Sequence, residues 1–411
     1  MRILVCYPWL DLGGAPNTSI TLARGLKELG HEVYFFTKKG ETEDERLAKA
    51  GMTCIYAPYD PVLPQLDHLN WKAYRVLCDA LDRYSIDIIH AFHYHPYLLS
   101  LFAAPERNIP VMFTGVFFLT TGFLPVYPGR VIFVAEEFKD RASHLTHKHR
   151  REVLVMPNRV DLGQFYPGID SAAFAREQNL PDSGWKIAVM SRVDSTKMGT
   201  FKYAVEAAEI LASRGRDICL AVAGDGPLLG TLEKWSARVN RNSGRRVVRL
   251  LGAVKETPQL LAWSDIFMGI GRSAVEGMAS GKPTLIVGEN GLAGVVEPEK
   301  AARLQYHNFA GRNATSPVSP EHLADAVEGI MNDRGRYEHL ASYARDYAME
   351  HYDYHAGARR LEKIYEETLL ERPLNARERR RLFLGTLTKG FCRQYILAWR
   401  LKLRSLLGRG G

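Results

Sequence analysis

The chain has 411 residues, 46% of them hydrophobic, and a formal net charge of +8. That size exceeds a single ordinary core and that composition excludes a disordered chain, so two α/β domains of about 150 to 200 residues each are expected. The charge is local: residues 371–411 carry eleven Lys/Arg against two Asp/Glu, which leaves the preceding body near neutral.

In chain order, short β-branched runs alternate with helical patterns. Strands are predicted at 2–6, 31–36, 53–56, 86–92, 111–116, 130–135 and 153–157, with helices near 17–30, 43–50, 71–84 and 136–146. Parallel neighbours need crossover helices, so this alternation implies a parallel sheet covered on both faces, the doubly wound pattern. The stretch 157–184, with its Pro, Gly and Asp residues, interrupts it. A second cycle then predicts strands at 186–192, 219–224, 247–252, 266–270 and 283–288, and helices near 200–214, 228–239, 274–280 and 320–332. Two Rossmann-like halves joined near residue 170 are expected, with ligands beyond the carboxyl ends of the strands. A helical pattern resumes over 336–370, broken near Asp353, before the basic tail.

Cys6, Cys54, Cys78, Cys219 and Cys392 are scattered, with no Cys-x-x-Cys or Cys/His cluster. They read as reduced thiols of a cytosolic protein, against a disulfide framework or a zinc site. The first apolar run is too short for a signal peptide, and no run approaches the ~20 apolar residues of a membrane span.

Several strand ends carry candidate chemistry. Gly13-Gly14 follow the first strand and open a helix, where glycines allow close backbone approach and the helix start offers N–H groups to a phosphate or an acceptor oxygen; a plain turn is the rival reading. Arg192 and Lys197 flank the turn after strand 186–192. A guanidinium fork and an ammonium point charge at that mouth can hold a diphosphate, although two solvated surface cations fit the spacing alone. Gly224-Asp225-Gly226-Pro227 reads as a turn with Pro at a first helical position. After strand 266–270, Ser273 and Glu276 fit a capping box. The functional alternative has the Glu276 carboxylate accepting from ribose hydroxyls, while the Arg272 and Ser273 N–H groups meet donor phosphates. His90, His93 and His95 lie at the end of strand 86–92, and His93 and His95 share a face only if extended geometry continues. Without a carboxylate or cysteine in register they suit cleft-lining donors or packed core better than a metal site. No Asp-x-Asp occurs, so charge stabilisation is expected from cations and helix ends rather than from a metal clamp.

In order along residues 1 to 370, Gly13-Gly14, Asp87-Ile88-Ile89-His90, Pro157-Asn158, Arg192 with Lys197, Gly224-Asp225-Gly226-Pro227, Leu251-Gly252 and Glu276-Gly277-Met278-Ala279 resemble the retaining GT-B glycosyltransferases of the group 1, family 4 type, which include phosphatidylinositol mannosyltransferase and sucrose-phosphate synthase. The resemblance implies an α/β GT-B fold, two Rossmann-like doubly wound domains facing across a cleft, with a carboxy-terminal helix crossing back. The expected domains are 1–168 for the acceptor, 169–345 for the nucleotide-sugar donor, a crossover helix 346–370 and a basic tail 371–411. It also implies that Arg192 and Lys197 hold the donor diphosphate; beyond the resemblance, His93 or His95 is expected to assist catalysis near the sugar. Gly271, Arg272, Ser273, Glu276, Gly224 and Gly252 are expected to bind the donor, and Gly13, Gly14 and His90 to line the acceptor side. The implied reaction is metal-independent, retaining transfer of a sugar to a glycan or lipid-linked acceptor. Two departures stand out. Val116 occupies the position of a sugar-contacting histidine, and the stretch from Asp265 to Glu276 is about six residues too short for the usual Glu-x7-Glu, so only its second glutamate is present. These motivate two alternatives, a non-catalytic sugar-nucleotide-binding or scaffold protein and a GT-B-like sugar-nucleotide epimerase.

In the tail, residues 389–407 place Cys392, Tyr395, Ile396, Trp399, Leu403 and Leu406 on one helical stripe and Lys389, Arg393, Arg400 and Arg404 beside it. The apolar weight favours an anionic membrane surface over nucleic acid, and so a peripheral protein at the inner face.

Overall fold

The structure, a computed structural model, describes residues 1–10, 14–40, 45, 47–59, 70–115, 129–149 and 152–388, the side chains of 143–149 excepted. Gly13, Val116, Cys392, the stripe over 389–407 and residues 43, 44 and 46 of the helix near 43–50 lie outside these residues. The chain divides into two compact units, Met1–Pro157 with His355–Gly411, and Asn158–Tyr354.

The first unit begins with β1 (Arg2–Cys6), α1 (Gly14–Glu28), β2 (Glu32–Thr37), β3 (Thr53–Tyr56), α2 (Trp71–Arg83) and β4 (Ile88–Ala91). It continues through α3 (Tyr94–Ala103), β5 (Val111–Gly115), β6 (Val131–Phe133), α4 (Glu136–His149) and β7 (Val153–Val155). The strands pair in parallel in the order β3-β2-β1-β4-β5-β6-β7. Burial on both faces explains why β1 reads as an almost unbroken apolar run. Helix α1 turns Leu22, Ala23 and Leu26 to the core and is followed by a turn at Gly30. There φ is +90°, and the His31 and Gly30 N–H groups donate to the Leu26 and Lys27 carbonyls, a glycine-dependent stop. Helix α3 escaped sequence prediction because nearly every residue in it is buried, which leaves no polar face to mark a helical period.

The second unit contains α5 (Ala172–Glu177), β8 (Trp185–Met190), α6 (Met198–Ser213), β9 (Ile218–Ala223), α7 (Leu229–Asn242), β10 (Val248–Gly252) and α8 (Thr257–Trp263). There follow β11 (Ile266–Gly269), α9 (Arg272–Ala279), β12 (Thr284–Gly288), β13 (Gly291–Val295), α10 (Pro298–Tyr306), α11 (Pro320–Met331) and α12 (Arg334–Tyr352). Its order is β10-β9-β8-β11-β12-β13, parallel except for β13, which returns antiparallel on β12. The strand order reverses between β8 and β11 here, and between β1 and β4 in the first unit, and such switch points open the crevices in which doubly wound sheets hold ligands.

The division falls at Pro157/Asn158 and Tyr354/His355, not at 168/169 and 345/346. The reason lies in the pairing of the intervening segments: Val160 N–H donates to Tyr352 O, Tyr354 N–H to Val160 O, and the Arg159 guanidinium to His351 O. Segment 158–168 is thereby tied to the end of α12.

From His355 the chain is again part of the first unit, as α13 (Tyr354–Leu369) and then α14 (Ala376–Gly385). Leu361, Ile364 and Tyr365 of α13 join Ile3, Val5, Phe35 and Ile88 in one core cluster. His90 belongs to this packing and does not line an open surface. It is 1% exposed, with Nδ1 2.6 Å from the Tyr365 hydroxyl and Nε2 2.7 Å from the Thr114 hydroxyl. Burial drives its pKa down to about 3, so the ring is neutral, one nitrogen donating and the other accepting.

A folded-state pKa below the unfolded value of about 6.5 means that His90 contributes stability above pH 6.5, which drains away as pH falls toward 3. Chemical denaturation between pH 6.5 and 4.5 should show a slope shallower by up to about 1.4 kcal/mol per pH unit in His90→Gln than in the wild type. Identical slopes would mean that the buried imidazole is not the acid-sensitive group.

Candidate functional site

The mouth of the second sheet is shaped by two glycines. At Gly224 and Gly226 φ is +156° and +153°. A Cβ on Gly224 would run into the Ser191 carbonyl oxygen, and one on Gly226 into that of Val193. The turn after β9 therefore lies directly against the turn after β8, backbone on backbone, and no side chain fits between them. Ser191 N–H donates to Ala223 O at 3.2 Å and Val193 N–H to Asp225 O at 2.9 Å, which completes the clamp. Gly224 and Gly252, expected at the donor, bond each other, Gly224 N–H to Gly252 O at 2.7 Å. Through Gly224 this pair also braces the loop that carries Arg192.

Within that loop Asp194 is the organiser. Its carboxylate accepts the Thr196 N–H at 2.9 Å, the Thr196 hydroxyl at 2.6 Å and Arg192 Nε. Burial pushes the Asp194 carboxyl up, but the Thr196 and Arg192 donors outweigh it and hold it below the ordinary carboxylate range. The Arg192 side chain is about half exposed, 51%, with its Nε end anchored. Lys197 sits immediately before α6. Burial lowers its pKa; the Arg192 and Arg312 guanidiniums add to the fall, while Asp194 and Glu289 oppose it. Counting Lys197 itself, three cations and two carboxylates thus act on one another around the start of α6, a net positive mouth suited to an anion.

The turn from β11 into α9 supplies the other wall of this switch point. Gly271 takes φ +59° and donates its N–H to Phe309 O at 2.8 Å, and α9 starts at Arg272. The capping box expected of Ser273 and Glu276 is absent because Ser273 lies one residue inside the helix, where its hydroxyl donates to Ile270 O at 3.0 Å. Glu276 instead meets Arg272, Nε to Oε1 at 2.8 Å, with both side chains buried, and the same guanidinium donates to Arg159 O. Burial raises the Glu276 carboxyl, partly opposed by Arg272. The Arg272 side chain thus orients Glu276, while the first-turn N–H groups of α9, which lack intrahelical acceptors, lie at the helix start.

In the first unit, β4 stops at Ala91 and His93 caps α3, its Nδ1 accepting from the His95 N–H at 3.3 Å. His93 and His95 are gathered by this helix start, not by a continuing strand. Their rings are 4.8 Å apart, Trp9 packs at 5.1 and 5.5 Å from them, and Tyr7 lies 5.8 Å from His93. Gly14 opens α1. Among the described residues no group of three or more His, Cys, Asp or Glu is arranged to hold a metal.

Sequence reading missed Trp9, Arg159, Glu289 and Arg312. Trp9 was detectable as an aromatic residue just past the first strand, and Glu289-Asn290-Gly291 as a hairpin turn between β12 and β13. Arg159 and Arg312 carry no local signal, since both act through residues distant in sequence.

Two family models match the chain, one described as Glycosyltransferase Family 4 over residues 12–115 and one as Glycosyl transferases group 1 over residues 170–347. No curated protein matches it significantly. Among solved structures it is similar to a glycosyltransferase from Rickettsia africae ESF-5, with TM-score 0.68, 19% identity, and 90% of this chain and 99% of the other covered. HepE (Alr3699) of Anabaena, in complex with UDP and glucose, gives TM-score 0.70 and 17% identity, covering 89% of this chain and 99% of its own. Sucrose-phosphate synthase of Thermosynechococcus elongatus gives 0.68 and 14%, covering 89% and 98%. At these identities the likeness is one of fold, and the fold is the two-domain, Rossmann-like GT-B fold.

Proposed function

The chain belongs to the group 1 glycosyltransferases, and we propose on that premise that it transfers a sugar, with retained configuration and without a metal, from a nucleotide-sugar to an acceptor hydroxyl. The observation that carries this reading is the clamped turn that sets Arg192 and Lys197 at the carboxyl end of β8, beside the switch point. As the bond between sugar and diphosphate breaks, negative charge grows on the leaving oxygens. Asp194 holds Nε of Arg192, so the terminal N–H groups act as a fork toward those oxygens, and Lys197 adds a point charge. The first turn of α9, at Arg272 and Ser273, supplies N–H donors to the same phosphates, and the Arg272-oriented Glu276 accepts from the ribose. The acceptor hydroxyl attacks from the face that the diphosphate leaves. Its proton passes to the departing phosphate oxygen, so retention requires no protein base. His93 and His95, with Gly13 and Gly14, belong to the acceptor side in this reading. That HepE is known with UDP and glucose supports a nucleotide-sugar as donor on this fold.

The acceptor is read as a lipid-linked or cell-surface glycan intermediate met at the cytoplasmic, anionic face of a membrane. No helix among the described residues is long and apolar enough to cross one. Helix α14 supports attachment from the side: Leu382 is buried, whereas Phe383, Leu384 and, just beyond the helix, Leu387 are 52%, 49% and 39% exposed, near exposed Arg377, Arg380 and Arg381. Apolar tips with guanidiniums beside them suit the headgroup region, at about 1 kcal/mol per cation.

Arg192→Ala should lower kcat/KM by about 10²-fold or more, because a donor aimed at developing charge is worth about 2.7 kcal/mol or more. A loss of only a few-fold in steady-state assays would refute the leaving-group role. Replacing Arg377, Arg380 and Arg381 together by Glu in the full chain should weaken co-sedimentation with phosphatidylglycerol vesicles at least about tenfold while leaving turnover of a soluble acceptor intact; undiminished sedimentation would refute attachment through α14.

A further inference from the structure

One carboxylate at the cationic mouth has no part in the reaction described above. Glu289 stands in the two-residue turn between β12, ending at Gly288, and β13, starting at Gly291. Its backbone is pinned on several sides. A Cβ on Gly199, in the first turn of α6, would come within 2.6 Å of Glu289 Cα. Gly288 and Gly311 touch so closely that neither admits a side chain without displacing the other's backbone. The Asn290 side chain donates to Ala314 O at 2.7 Å, and Val318 N–H donates to Asn290 O at 2.8 Å. The side chain of Glu289, by contrast, is exposed. Among the described residues it makes no salt bridge or hydrogen bond, although it lies within electrostatic reach of Lys197.

A carboxylate carried on a pinned backbone beside a diphosphate site is a liability if diphosphate is all that the site binds, since it opposes the field of Arg192 and Lys197. It becomes useful where a neutral, hydroxyl-rich group extends from that diphosphate, because an ionised carboxylate accepts strong, directional hydrogen bonds from hydroxyls. The opposite wall offers no competitor: the turn Gly269-Ile270-Gly271 carries no acid, and Glu276 is buried against Arg272. We propose that Glu289 accepts hydrogen bonds from hydroxyls of the transferred sugar and so selects which sugar is moved. The assignment rests on the reading of this mouth as the nucleotide-sugar site.

The test compares Glu289→Gln and Glu289→Ala with the wild type on a panel of UDP-, GDP- and ADP-sugars that includes epimeric pairs, and measures the affinity for the corresponding free nucleoside diphosphate. The expected result is a fall in kcat/KM of about 10- to 100-fold for the preferred donor, a narrowed preference between epimers, and nucleoside diphosphate affinity unchanged within threefold or tighter. Donor preference and kcat/KM within threefold of wild type in both variants would overturn the assignment. So would a loss matched by an equal loss of nucleoside diphosphate affinity, which marks a structural role for the turn. If the wild type itself uses no donor of the panel, the transferase reading fails first and this assignment falls with it.

Discussion

The site depends on a contact between two stretches of backbone. Gly224 and Gly226 lie against the Ser191 and Val193 carbonyls so tightly that a single Cβ would force them apart. Arg192 projects from between those two residues, and Lys197 follows after one Asp-centred turn. Cations on a free loop pay conformational entropy to meet an anion; cations on a clamped loop have already paid it. The doubly wound sheet determines where the clamp sits, since β8 is the central strand at which the order reverses. Fold and chemistry meet at that strand end.

A second layer of restraint lies behind the site. Arg272 is spent on orienting Glu276 and reaching the Arg159 carbonyl, and Arg159 in turn reaches His351 at the end of α12. In the first unit, His90 joins β4 to α13 through the Tyr365 hydroxyl and to β5 through Thr114. Residues that resemble site residues in one dimension therefore divide into groups left at the strand-end mouth and groups that hold other residues in place.

That division marks the limit of what the sequence could reveal. The sheets were legible because buried parallel strands are continuous apolar runs, and all but one of the described strands were anticipated; β13, Gly-Leu-Ala-Gly-Val, has too little β-branched character to announce itself. Arg192 and Lys197 were legible because a strand end precedes them. The orientation of Arg272 was not, since nothing local separates a guanidinium that faces phosphate from one that faces Glu276. His90 looked like a cleft residue for the same reason, as its partners Thr114 and Tyr365 are 24 and 275 residues away. Glu289 was hidden because its neighbours Gly199 and Lys197 are brought to it by the sheet.

Calorimetric titration of UDP, GDP and ADP into the wild type and into Gly224→Ala tests the central constraint most directly. If backbone contact at Gly224 places the two cations, whichever diphosphate binds the wild type should bind the variant at least about tenfold more weakly, about 1.4 kcal/mol, while the variant still unfolds cooperatively. Equal affinity in a folded Gly224→Ala protein would contradict the account.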